Sequence, residues 1–346
     1  MKYTKLGRTG TKVSRICLGT MNFGPRTSEA ESHQIMDRAV ELGINFFDTA
    51  NRYGFDVEKG YTESIIGRWL AKSGKRDDIV LATKFFGPMG PGANDEGLSV
   101  YHMRAAVDES LTRLQTDRID LYQMHHIDRG LPHPKSPATY LGGDLGNLDY
   151  PPHLKPGTPW QEIWQGYDQL ITAGKVLYAG SSNFAAWNIV QANERAAARN
   201  MVGLVTEQSK YSLMTRDIEL ELVPACREYG VGILPWSPLG GGALAGSAHD
   251  DGSGRRSDST YDEQTQQRRK AFAALAKELG EEPPVVALAW LLHNPVVTAP
   301  IIGPRTMDQL NSAVRAIDLK LDDEMMSRID AIFPGPADQA PEAYAW

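Results

Sequence analysis

The sequence predicts a (β/α)8 TIM barrel with an N-terminal β-hairpin and long loops at the carboxyl-terminal face. Three observations carry that prediction. Eight short apolar runs are each followed by a helical pattern, from Ile16 to Val314, with no charged linker or low-complexity segment between them. A chain of 346 residues suits one such barrel, taken here as a single domain over 1–346. Finally, three of the runs stop on titratable groups, which places those groups at strand carboxyl ends, where barrels bind ligands. A doubly wound open sheet is the competing architecture, but closing eight strands needs no edge signals, and none is present.

The elements follow in order. Lys2 to Leu6 and Lys12 to Arg15 flank Gly7-Arg8-Thr9-Gly10-Thr11 and read as a hairpin that plugs the bottom of the barrel. Ile16 to Thr20 is the first barrel strand. Ser28 then caps a helix bearing Ile35, Ala39, Val40 and Leu42, which Gly43 ends. Strand Asn45 to Asp48 precedes a helix with Ile65, Ile66, Trp69 and Leu70 on one face. Strand Ile79 to Lys84, a glycine-rich loop from Gly87 to Gly97 and a helix capped by Ser99 come next. Strand Ile119 to His125 leads into Gly130 to Gly157, which is too long for an ordinary connection and reads as a lid or wall on the substrate side. Thr158-Pro159 caps a helix through Ala173, and Val176 to Ala179 is a strand. Asn183 caps the helix from Ala185 to Ala198, before strand Val202 to Gln208. Glu219 to Tyr229 is helical, Val231 to Trp236 extended, and Ser237 to Ser257 a second long loop. Helices around Arg268 to Leu279 and from Val285 to His293, strand Val297 to Ile302 and a helix capped by Thr306 complete the pattern.

Composition narrows the function. A net charge of −7 disfavours general nucleic-acid binding, which wants a basic face. Cys17 and Cys226 are the only cysteines and have no metal-ligand spacing, so neither a disulfide scaffold nor a metal site is expected and a reducing cytoplasm fits. No run has the length of a membrane span, and the first residues lack the apolar core of a signal peptide.

The chemistry concentrates where strands end. Asp48 closes one run and Tyr53 follows five residues later; the next two runs stop on Lys84 and His125. Taken singly, these are a loop acid, a core ring, a solvated strand end and a core histidine. Neighbouring strands would bring all four to one face of one barrel. Gly240-Gly241-Gly242 with Ala245 matches a relaxed dinucleotide fingerprint by letter, yet it sits in a long loop rather than between strand and helix, so it reads as a glycine hinge.

Several stretches together resemble the aldo-keto reductase superfamily from Leu6 to about Val314. They are Leu6 to Gly10, Phe47 to Gly54, Ala82-Thr83-Lys84, Asp120 to His125, Gly180 to Phe184, Gln208 to Tyr211, Trp236 to Leu239 and Ile302 to Thr306. The resemblance implies carbonyl reduction with a nicotinamide cofactor lying across the barrel mouth, without a Rossmann domain. It makes Tyr53 the general acid, Lys84 and Asp48 the pair that tunes it, and His125 the group that orients the substrate carbonyl. That is chemically sensible, because a phenol near pKa 10 is a weak acid at neutral pH and an adjacent ammonium stabilises its anion.

For the cofactor the resemblance implies Ser181, Asn183 and Gln208 around the carboxamide and Trp236 stacked on the nicotinamide. Ser237, Leu239 and Gly241 would follow the pyrophosphate, and Gly303, Arg305, Thr306 and Gln309 would meet the adenosine end. Arginine there suits a 2′-phosphate and hence NADPH. NADH is the alternative, since Ala313 stands where the family often has asparagine. Asn94 to Ser99, His125 to Arg129 and Ile332 to Pro334 resemble a bacterial branch that includes reductases of nucleotide-linked keto-deoxysugars. A second function compatible with the family is a cofactor-binding, redox-sensing regulatory subunit with little turnover. The expected partner is a small-molecule carbonyl substrate, with oligomeric state left open.

Overall fold

Short strands buried on nearly every residue close here into a barrel, because the interior fills one sheet face and the surrounding helices cover the other. The computed structural model describes residues 1–128, 157–245, 261–336 and 339. The expected lid, Gly130 to Gly157, lies outside the described residues save for Gly157, as does the end of the second long loop.

Strands β1 (Tyr3–Lys5) and β2 (Lys12–Ser14) pair antiparallel as the hairpin. Eight parallel strands form the barrel: β3 (Cys17–Gly19), β4 (Phe46–Asp48), β5 (Val80–Phe85), β6 (Ile119–Met124), β7 (Val176–Ser182), β8 (Leu204–Gln208), β9 (Gly232–Ile233) and β10 (Ile301–Ile302). They neighbour one another in chain order, and β10 returns to pair with β3. The β9–β10 seam closes through Thr298 N–H to the Ile233 carbonyl and Ile301 N–H to the Pro235 carbonyl, each 2.9 Å. Both strands are shorter than the apolar runs that announced them. Pro235 and Pro300 interrupt the ladder there, since proline has no N–H to give.

Ten helices of seven residues or more surround the barrel among the described residues: α1 (Glu29–Glu41), α2 (Tyr61–Ser73), α3 (Val100–Leu114), α4 (Trp160–Thr172), α5 (Ala186–Ala197), α6 (Leu222–Glu228), α7 (Glu263–Glu278), α8 (Pro283–His293), α9 (Met307–Arg315) and α10 (Asp323–Ile332). Ser28, Ser99 and Thr306 cap α1, α3 and α9 as expected. Thr158 does not cap α4; its hydroxyl and N–H both donate to Asp128 Oδ2, at 2.5 and 3.2 Å, and Pro159 takes the cap position. Asn183 does not cap α5 either. The helix starts at Ala186, with Asn188 Oδ1 accepting from Ala185 N–H at 3.2 Å, because the Asn183 amide is occupied elsewhere. Helix α10, unassigned in the sequence reading, is capped by Asp322.

The hairpin does plug the barrel. Leu6 and Val13 are fully buried in one cluster with Cys17, Phe46, Ala82, Leu121, Val205, Leu234 and Ala299, the apolar layer of the barrel interior. Gly7, at φ +52°, lies so close to β8 that a Cβ would come within 2.1 Å of the Val205 carbonyl oxygen, so the turn needs glycine. Among the described residues, no helix is long and apolar enough to cross a membrane.

Candidate active site

Strand period places the polar groups. Side chains two residues apart share a face, so each step of two from the apolar layer climbs toward the carboxyl-terminal mouth. From Cys17, Phe46, Ala82 and Leu121 that step reaches Gly19, Asp48, Lys84 and Gln123. A charged layer therefore rests on a greasy floor. At Gly19 a Cβ would meet Ile301 Cγ2 at 2.5 Å, so this corner stays without a side chain.

Lys84 is fully buried, and its three ammonium hydrogens have three acceptors. Nζ donates to Asp48 Oδ2 at 2.7 Å, to the Thr49 carbonyl at 2.8 Å and to Tyr53 Oη at 3.1 Å. The other Asp48 oxygen accepts from Gln123 Nε2 at 3.0 Å and Gln208 Nε2 at 2.9 Å. Burial alone pulls the Lys84 ammonium down, but the Asp48 carboxylate and the Tyr53 oxygen outweigh it and hold it above the usual lysine value. It stays charged. A buried ion pair is tolerable only when its remaining hydrogen bonds are satisfied, as they are here.

Tyr53 and His125 stand above this pair, half-buried at the mouth. Their rings meet edge to face, with centroids 6.0 Å apart and planes at 77°. His125 lies two residues beyond Gln123, and its N–H continues the ladder to the Phe85 carbonyl at 2.9 Å. His126 stacks on its ring at 5.4 Å and meets Phe86 edge to face at 5.7 Å. All four predicted catalytic candidates thus come together, with a sealed charge beneath and a phenol and an imidazole facing outward. Such an arrangement can hand a proton to an oxygen at the mouth while keeping the compensating cation out of water.

The remaining candidates follow the carboxyl ends of β7, β8, β9 and β10, four neighbouring strands. Asn183, left-handed at φ +61°, donates Nδ2 to the His125 carbonyl at 3.2 Å and accepts Trp236 Nε1 at 3.0 Å. Gln208, through Asp48, ties this side to the buried Asp48–Lys84 pair. Trp236 is half-buried, and its N–H donates to the Ser209 carbonyl at 2.9 Å. The chain then curls tightly: Ser237, at φ +51°, accepts Gly240 N–H at 2.9 Å, Leu239 accepts Gly242 N–H at 3.0 Å, and Gly241 is at φ +73°. After β10, the Gly303 carbonyl accepts Asn22 Nδ2 at 2.9 Å. Gln309 Oε1 accepts Arg305 N–H at 2.8 Å at the start of α9, where Thr306 caps Gln309 N–H. The residues present fit an extended dinucleotide: an aromatic ring at one end, a glycine turn in which a Cβ on Gly242 would meet open space, and an arginine at a helix N-terminus at the other.

Ser181 does not join this row. It pairs in register with Glu207, facing away from the barrel interior, and its hydroxyl donates to Glu207 Oε2 at 2.5 Å. Ser182, which the sequence reading passed over, shares the inward side with Gln208 and donates to the Gln208 carbonyl at 2.9 Å. Gln123 was missed too, although the step of two from Leu121 points to it. Glu207 was the third omission. Fully buried, it accepts from Ser181 Oγ, from Ser209 Oγ at 2.7 Å and from Phe184 N–H at 3.1 Å.

Burial pushes the Glu207 carboxyl from 4.5 up to about 7, against the pull of the two hydroxyls and the neighbouring backbone N–H groups. The folded protein therefore holds this proton more tightly than the unfolded chain does. Stability tied to Glu207 is complete below about pH 4.5 and is lost as pH rises through about 7, by roughly 3 kcal/mol. Urea unfolding from pH 4.5 to 8 is expected to show wild type losing that much relative to Glu207→Gln; parallel curves would contradict the assignment.

With this geometry in place, the comparisons identify the class. The model of the aldo/keto reductase family matches residues 15–333. The chain is 48% identical to the uncharacterized oxidoreductase YrpG of Bacillus subtilis, over 100% of both chains. It is 32% identical to protein tas of Escherichia coli, over 97% of this chain and 100% of that one. To norsolorinic acid reductase stcV of Emericella nidulans it is 31% identical, over 94% of this chain and 79% of the relative. The chain belongs to the aldo/keto reductase family and is an NAD(P)H-dependent oxidoreductase acting on carbonyl and alcohol groups.

Proposed function

We propose that the protein is an NADPH-dependent reductase of small aldehydes or ketones in which Tyr53 donates the proton. The observation that carries this reading is the chain Asp48–Lys84–Tyr53, with the ammonium buried and the phenol at the mouth beside His125. When bound, the nicotinamide supplies the hydride. Tyr53 Oη and the His125 ring converge on the substrate oxygen and oppose the negative charge that grows there. Lys84 stabilises the phenolate left once the proton has moved, and Asp48 keeps Lys84 charged and aimed. Asn183, Gln208 and Ser182 are assigned to the carboxamide side, and Trp236 to stacking. Ser237, Leu239 and Gly241 are assigned to the pyrophosphate, and Gly303, Arg305, Thr306 and Gln309 to the adenosine end.

Steady-state NADPH oxidation across a panel of aldehydes and ketones tests the reading, with turnover expected on some members. Tight cofactor binding with no turnover on any of them would favour a regulatory subunit. Arg305 also carries the choice of cofactor. Arg305→Ala is expected to weaken NADPH by about 1.5–3 kcal/mol, the range for hydrogen bonds to charged groups, and to change NADH far less. Equal weakening of both, measured by calorimetry, would remove Arg305 from reading the phosphate.

A further inference from the structure

We infer that Glu207 is a positioning residue for cofactor binding: from outside the barrel wall it locks the β7–α5 turn and the end of β8, and so holds Asn183 and Trp236 in place. The inference rests on the cofactor reading above. Consecutive residues of β8 point to opposite sides, so Gln208 reaches Asp48 inside the barrel while Glu207 is buried behind it. Its carboxylate joins three pieces of chain. Oε2 accepts from Ser181 on β7; Oε1 accepts from Phe184 N–H in the turn and from Ser209 just past β8. Each piece leads to the mouth. Phe184 follows Asn183, and the Ser209 carbonyl accepts Trp236 N–H.

Asn183 needs such an anchor. A non-glycine residue in the left-handed region is held there only when its surroundings over-determine it. On the inner side the Asn183 amide is held by His125, Ser182 and Trp236; on the outer side the next N–H is held by Glu207. Among the described residues no lysine, arginine or histidine is paired with Glu207. A fully buried carboxylate without a cation is costly, and apolar packing would fill the same space more cheaply. The carboxylate instead provides two oxygens that collect donors from three segments at once, which no apolar side chain can do.

The test is calorimetric titration of NADPH at pH 8 into wild type, Glu207→Gln and Glu207→Ala, with thermal unfolding and saturating-cofactor kcat measured alongside. Glu207→Ala is expected to raise Kd for NADPH at least about tenfold, as leaving buried donors unpaired beside a binding group does. Its kcat at saturating NADPH should stay within about threefold of wild type, and Glu207→Gln, which keeps shape and one acceptor, should recover part of the affinity. A folded Glu207→Ala with wild-type Kd overturns the inference. Should Glu207→Ala fail to fold, Ser209→Ala removes one donor and decides instead: a raised Kd supports the role and an unchanged Kd overturns it. If wild type itself binds neither NADPH nor NADH, the functional reading fails; if wild type binds and the variants bind equally well, only the role of Glu207 fails.

Discussion

Tyr53→Phe is expected to lower turnover by at least about 10²-fold, the usual contribution of a positioned acid, while leaving NADPH affinity near wild type. The ring occupies the mouth, and its contact with His125 is through the aromatic face and edge, so phenylalanine preserves the packing and removes only the oxygen. That oxygen is also one of the three acceptors on Lys84 Nζ. Two acceptors remain, Asp48 and the Thr49 carbonyl, so the ammonium stays paired and the fold is expected to hold. Near-normal turnover in this variant would take the proton-donor role away from Tyr53.

Lys84→Met is expected to cost both activity and stability. Removing one partner of a buried ion pair strands the other, at about 3–5 kcal/mol. Asp48 would keep only the neutral donors of Gln123 and Gln208 in a site closed to water. The penalty belongs to the stranded charge, so Asp48→Asn in the same chain should return much of it; urea unfolding of the four proteins of the double-mutant cycle measures the coupling. Simple additivity would mean that the pair is not coupled as its 2.7 Å contact requires. Turnover should fall in Lys84→Met even where the protein is folded, because the phenol loses its neighbouring cation.

The fold and the meeting of Asp48, Tyr53, Lys84 and His125 at one mouth were legible because both follow from period. Phe46-Phe47-Asp48 is an apolar run with an acid at its end, and in a parallel barrel that end is the mouth. What escaped was facing. In Gly180-Ser181-Ser182-Asn183 small polar residues lie side by side on a strand buried on both faces, so neither alternation nor hydrophobicity separates Ser182, turned inward, from Ser181, turned toward Glu207. Asn183 looked like a helix cap because asparagine before a helix usually is one. Here a left-handed backbone and three side-chain hydrogen bonds claim it instead. Glu207 was invisible for a related reason. Nothing in the run Val202 to Gln208 marks it, and only the Phe184, Ser181 and Ser209 donors explain its burial.

The most direct test of carbonyl reduction at this site is isotope transfer in a single turnover. Wild type mixed with NADPH carrying deuterium at the transferable position and an accepted aldehyde should give alcohol with deuterium on the former carbonyl carbon, matched one for one by oxidised cofactor. Tyr53→Phe, mixed the same way, should bind the cofactor yet form product at least about 10²-fold more slowly. Cofactor bound tightly by wild type, with no deuterium reaching any carbonyl offered, would contradict the account.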